Sequence, residues 1–441
     1  MFLRCIINSR KKSYLSEATR STMFEYLRTV NKTVLMVLVF VLPFVALLTS
    51  KWLLSVSLIL LIPLALLVLF QQKGKEGNWK KVVGDRLQFY LKYPPFWGFS
   101  LLFLVILFSG LLLGTSGYWE DRLRIKLPML IAPFLFAMLP PLPKKHYKIW
   151  AISIVLIAAI SLCVVLGNYF LSYTEIQENI SKGGSIPTPI SHIRYSIFIA
   201  FGMVLSIWLG LDKEKFLGRN SNFLELFIAF LLFIGLHILS VRSGLLAAYV
   251  GLAVCLIHWT VSSKKWLLGL GLLLVISISP YLAYQNISSF KSKIDYSLHD
   301  FKMYKSDNGS SYSDSDRFQS MQVGWDLFKS NPIFGTGIGN FKSAVKLKYE
   351  EEFPGQKAIM PHNQFLSIMA AMGIVGFIVS LTGLLFPLFY RKQFAHLPML
   401  SFYLMMLSSM LVENTLESSV GMALFLLPIL IMSNFLIGQK A

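Results

Sequence analysis

Three side chains in this 441-residue chain stand where chemistry at a membrane surface would need them. Arg242, in Ser240-Val241-Arg242-Ser243-Gly244, sits in a very short connection between two apolar runs, so its guanidinium must lie at the bilayer surface or point into the bundle. An arginine there is expensive. It either snorkels as an anchor or serves a function, and function is preferred because the basic anchors otherwise gather on the opposite face. Arg317 opens a helical stretch, where the positive end of the helix dipole favours acids; it is either an ordinary exposed arginine or one that faces an anion. His362, in Met360-Pro361-His362-Asn363-Gln364-Phe365, stands where a long polar loop returns to an apolar run. Histidine is the side chain best suited to accept a proton near neutral pH, although a lone histidine is more often structural.

Other polar residues carry weaker signals. His192 and Arg194 form a second basic pair that either helps bind a substrate or only marks the membrane edge. His237 and His258 lie within or at the ends of apolar runs and read as packing residues. Glu413 and Glu417, one turn apart, either face a cavity or solvate a helix end. Gly335-x-Gly337-x-Gly339 lacks the strand, helix and lysine of a nucleotide-binding loop and reads as a tight turn in preference to a backbone anion nest. No Cys/His or carboxylate cluster has metal-ligand spacing, so neither metal nor cofactor is indicated. The three cysteines suggest no disulfide framework.

The elements that must position these residues are membrane helices. The chain is 55% hydrophobic and 14% charged, with a mean hydropathy of +0.61; soluble domains carry roughly 25% charge. Its net charge of +19 sits in short segments between apolar runs, which fits loops beside anionic lipid and excludes a nucleic-acid module. About twelve runs approach the ~20 residues a crossing needs: 33–50, 52–70, 96–114, 128–142, 149–170, 195–211, 223–240, 243–260, 266–283, 364–389, 398–414 and 420–437. The shortest, 128–142, ends in Pro140, Pro141 and Pro143 and could be re-entrant or broken. The stretch to Lys32 is too long and polar for a signal peptide, so the first run is expected to be a retained helix.

With the N-terminus inside, Lys/Arg-rich connections at 71–95, 143–148 and 212–222, with Lys264, Lys265, Arg391 and Lys392, all fall inside as the positive-inside rule asks. Arg122, Arg124 and Lys126 are the exception. The expected organisation is a basic cytoplasmic segment 1–32, nine helices over 33–283, a large outer loop 284–361, three helices over 362–437 and a cytoplasmic end 438–441. Within the loop, Asp314 or Asp316 can cap a helix running to Ser330, with an apolar stripe of Phe318, Met321, Trp325 and Phe328.

The order of these features resembles the O-antigen ligase and polymerase superfamily. An arginine precedes a small-residue helix, and a large outer loop follows with Arg317-Phe318 and Asn331-Pro332-x-x-Gly335-x-Gly337-x-Gly339-x-Phe341. His362-Asn363 is then followed by nine residues, Gly373, two residues and Gly376, which matches the ligase pattern throughout. The resemblance covers about 240–380. It implies an all-α, GT-C-like fold in the bacterial inner membrane, with the site facing the periplasm. It also implies inverting, metal-independent transfer of a glycan from undecaprenyl pyrophosphate, to a lipid A-core sugar in ligases or to another lipid-linked chain in polymerases. Arg242 and Arg317 would stabilise the pyrophosphate, His362 would take the acceptor proton, and Asn363 would orient the imidazole or the sugar. His192 and Arg194 match no family pattern and remain inferences from position. A transporter or flippase is the competing class; it would be expected to show internal repeats and broken midplane helices, whereas the polar residues here concentrate in an outer loop.

Overall fold

The computed structural model describes residues 31–212, 221–305 and 313–439. Residues 1–30 of the basic N-terminal segment, with Cys5, and Lys213, Lys215 and Arg219 lie outside them. The described chain is all-helical, with no strand among the described residues. Among these residues, nine helices are long and apolar enough to cross a membrane, which makes this a multi-pass membrane protein. The remaining three predicted runs are also helical but shorter: Ser100–Leu113, Pro128–Met138 and Leu397–Val412.

The 128–142 run is short because its helix begins earlier than hydropathy suggests. Gly117–Lys126 leads through Leu127, itself helical, into Pro128–Met138. Together 117–138 make a nearly continuous stretch roughly 33 Å long at 1.5 Å per residue. Trp119 Nε1 donates to Ile106 O (3.0 Å), so this stretch turns back alongside Ser100–Leu113. Hydropathy missed the first turns because Arg122 and Lys126 lie in them. Both pair with Glu417 inside the fold, as described below.

Packing is closest where small residues let backbones approach. Gly244 of Arg242–Ser263 leaves no room for a Cβ against Ser196 of His192–Leu211, and Gly251 sits against Val204 and Met405. Ser419–Ile437 runs through the middle of the bundle, with almost all its side chains buried.

Gln364–Phe389 is broken at Gly373, which has φ 65° and ψ −171°. That conformation is open essentially to glycine alone. The glycine-rich turn splices the break: Ile374 N donates to Pro332 O (2.8 Å), Val375 N to Ile333 O (3.3 Å) and Thr336 N to Ala370 O (3.0 Å). A side chain at Gly373 would strike Ile333, and one at Gly335 would strike Met372. The turn's other end is tied to Ser100–Leu113 through Ile338 N donating to Ser109 Oγ (3.1 Å) and Asn340 Nδ2 to Leu113 O (2.9 Å). Its glycines are therefore structural, in keeping with the tight-turn reading.

Among the described residues, the 284–361 segment contains three helices, Ser288–Lys305, Ser313–Ser330 and Phe341–Glu352. The second ends at Ser330 as predicted but already includes Ser313, so neither Asp314 nor Asp316 caps it, and its stripe turns outward at Phe318 (45% exposed) and Trp325 (47%). The buried face carries Ser315, Gln319, Ser320, Val323 and Leu327. Gly324 presses so closely on Pro361 that only a bare backbone fits there, and this turns the larger side chains away.

Candidate functional site

The first residue of Arg242–Ser263 is Arg242 itself, held at a corner where Ser240 takes φ 55°. Ser289, from the loop's first helix, donates its hydroxyl to Ile238 O (2.7 Å) and locks that corner. Arg317 stands in the first turns of Ser313–Ser330. His362 precedes the kinked helix, and its backbone N–H donates to Ser320 Oγ (3.2 Å), one turn along from Arg317. Three distant parts of the chain thus deliver their side chains to one place. Arg242, Arg317 and His362, with His192, Lys293 and Glu413, line a single cavity of about 290 Å³.

Glu413 ties this cluster together. Its Oε1 accepts from Arg317 Nη2 at 2.9 Å, and its Oε2 lies 3.4 Å from His362 Nδ1. The carboxylate is 10% exposed, and Arg317 and His362 are 28% and 29% exposed. Burial would raise the Glu413 pKa, but the close approach of the His362 imidazole and the charges of Arg317 and Arg194 outweigh it and hold the pKa below the usual carboxylate value. An imidazole with a carboxylate 3.4 Å from Nδ1 keeps its other ring nitrogen available and is chemically able to accept a proton there.

The remaining expected residues are placed less centrally. His192 lines the cavity, with Nδ1 3.2 Å from Ser185 Oγ. Arg194 does not line it; its Nη2 donates to Asn414 O (3.4 Å), so it backs Glu413 from behind. Asn363 caps the kinked helix, its Oδ1 accepting from Leu366 N at 3.0 Å. The side chain that stands beside the imidazole is therefore that of Glu413, not of Asn363.

Two cavity residues were not among the expected ones. Lys293 donates its ammonium to Gly183 O (2.7 Å) and Gly184 O (3.0 Å), clipping the Gly/Pro-rich segment to the loop. Its position in the sequence, inside an ordinary amphipathic stretch, carries no signal. Glu413 did have one, a carboxylate at a helix end, but its alternatives were open until the tertiary fold chose the cavity.

No curated protein matches the chain. Residues 227–381 match the family model described as O-antigen ligase, a stretch that contains Arg242, Arg317 and His362 and stops short of Glu413. This match, over about a third of the chain, supports membership of the O-antigen ligase and polymerase superfamily.

Proposed function

We propose that the protein is an O-antigen ligase-type glycosyltransferase of the bacterial inner membrane, working on the periplasmic face. It moves a glycan from undecaprenyl pyrophosphate to a hydroxyl of a lipid A-core sugar. The observation that supports this most is the convergence of Arg242, Arg317 and His362 on one cavity, with Glu413 bridging the last two.

Each residue has a physical task. The donor's pyrophosphate carries several negative charges, and it gains one more as the anomeric C–O bond breaks. Guanidinium forks pair with phosphate oxygens in bidentate fashion, so Arg242 and Arg317 hold the leaving group and stabilise that growing charge, with Lys293 adding a third cation. No metal is needed for this step. The acceptor hydroxyl attacks the anomeric carbon from the side opposite the pyrophosphate, giving inversion. His362 takes the hydroxyl proton as the new C–O bond forms, and Glu413 stabilises the imidazolium. Glu413 also fixes the orientation of Arg317, so base and leaving-group clamp share one anchor.

The reading is tested with purified protein, lipid-linked donor and lipid A-core acceptor. Near-normal turnover by His362→Gln, whose side chain can hydrogen-bond but cannot take a proton near neutral pH, would remove the base. A deletion strain separates the two branches of the superfamily. Unsubstituted lipid A-core with glycan left on the carrier identifies a ligase; core bearing a single repeat unit identifies a polymerase.

A further inference from the structure

Behind the wall that carries His362 lies a second polar cavity, of about 160 Å³, that the proposed transfer does not use. The wall is made of two strips of chain, 360–364 and 413–417. His362 and Glu413 face the first cavity, while Gln364, Asn414 and Glu417 face the second. Asn414 stitches the strips together, donating to Pro361 O and accepting from Ser367 Oγ (2.9 Å).

The second cavity holds an unbalanced charge. Lys126 Nζ lies 2.7 Å from Glu417 Oε1 and Arg122 Nη1 2.9 Å from Glu417 Oε2, so two cations share one carboxylate. Lys126 is 2% exposed and Arg122 16%. Gln364 Nε2 also donates to Glu417 Oε1 (3.0 Å) and Arg122 Nη1 to Glu417 O (2.9 Å), yet the cluster holds one cation more than its carboxylate offsets, and an uncompensated buried charge is costly. Arg122 Nε is also buried without a hydrogen-bond partner, which a native fold seldom leaves so. Tyr118, whose ring lies 4.8 Å from the Arg122 guanidinium, and Ser367 add further polar groups to the lining.

Beside this cavity, sharing Met372 with it, runs an apolar groove of about 530 Å³ between Ser100–Leu113 and the second half of the kinked helix. Leu101, Val105, Phe108 and Leu112 form one side, Val375 and Val379 the other. Both helices belong to apolar runs, so the groove faces the hydrocarbon layer. A cationic pocket with a donor to spare, next to a channel suited to alkyl chains, is complementary to an anionic amphiphile.

We propose that this cavity and groove seat the acceptor lipid, with a phosphate of its headgroup at Arg122 and Lys126 and an acyl chain along the groove. The assignment rests on the transfer reading above, which requires two lipid-anchored substrates and places only the donor in the first cavity. The acceptor's sugar chain then passes over the 360–364 and 413–417 wall to reach His362 from the side opposite the pyrophosphate.

The test uses the full chain in phosphatidylcholine nanodiscs and a labelled bisphosphorylated, acylated glucosamine disaccharide as probe. Binding of undecaprenyl pyrophosphate is measured on the same samples. Arg122→Gln and Val375→Trp are each expected to weaken probe binding at least tenfold while leaving undecaprenyl pyrophosphate binding unchanged. The dephosphorylated probe should bind at least tenfold more weakly to the unaltered protein. Val375 is 44% exposed and does not line the cavity of the ion cluster, so its variant keeps the test decisive if Arg122→Gln does not fold. Unchanged probe binding in Val375→Trp overturns the proposal, as does displacement of the probe by an equal concentration of phosphatidylglycerol, which would make this a site for bulk lipid. Loss of the Arg242 dependence of undecaprenyl pyrophosphate binding would instead count against the donor site and leave this one standing.

Discussion

Replacing Glu413 by glutamine isolates the part of the mechanism that depends on a charge behind the base. The glutamine keeps shape and hydrogen-bonding capacity and removes only the negative charge. In the transition state His362 becomes a cation 3.4 Å from that position. Two unit charges at this distance attract by about 5 kcal/mol at an effective dielectric of 20 and about 1 kcal/mol in bulk water. Glu413 is 10% exposed and His362 29%, which places the site between these limits, nearer the wet one because the cavity is open. A loss of about 1.5–3 kcal/mol corresponds to a roughly 10- to 100-fold fall in kcat. The assay is single-turnover transfer by the purified enzyme, with Glu413→Gln measured alone and in a His362→Gln background. If Glu413 acts through the imidazole, its substitution should have little further effect on kcat once the imidazole is gone, and only the Arg317-linked change in donor affinity should persist. Equal, additive effects on kcat in both backgrounds would falsify the coupling.

Further expectations can be checked independently. Arg242→Lys and Arg317→Lys should each weaken donor binding despite keeping the charge, because an ammonium lacks the fork; wild-type affinity for undecaprenyl pyrophosphate in both would refute the bidentate clamp. Gly373→Ala, forced into a conformation that only glycine takes readily and pressed against Ile333, should destabilise the protein by about 1–3 kcal/mol; an unchanged Tm would mean the kink can relax. In Glu417, burial is outweighed by the charges of Lys126 and Arg122, which lower its pKa from 4.5 to about 2. Because the folded value is the lower one, this contribution, on the order of 3 kcal/mol, is present above pH 4.5 and is lost as pH falls from there towards 2. The Tm of the unaltered protein should drop across that window, while that of Glu417→Gln should start lower and vary less. A cysteine replacing the exposed Lys346 in a cysteine-free background should react with an impermeant thiol reagent in intact spheroplasts; protection until lysis would place the 284–361 loop on the cytoplasmic side.

Most of the helices were legible because a run of apolar residues is a one-dimensional property. All twelve predicted runs coincide with helices, nine of them meeting the length and composition of a crossing among the described residues. The superfamily was legible too, since the spacing from His362 to Gly373 and Gly376 is fixed along the chain, and the family match falls on the same stretch. Periodicity also found the helix at Ser313–Ser330, but it could not say which face packs inward. The close approach of Gly324 to Pro361 decided that, and it sent Phe318 and Trp325 outward.

The rest belongs to the tertiary structure. Glu413 and Glu417 look like a pair on one helical face, yet the helix ends at Val412 and a 3₁₀ turn at Thr415–Glu417 sends the two carboxylates to opposite cavities. Arg122 and Lys126 read as misplaced loop charges because their partner lies almost three hundred residues further along. Residue types and spacing name the groups able to bind phosphate or take a proton. Which of them share a cavity, and which carboxylate stands behind the histidine, depends on contacts between segments far apart in the chain, and hydrophobic periodicity carries no record of those.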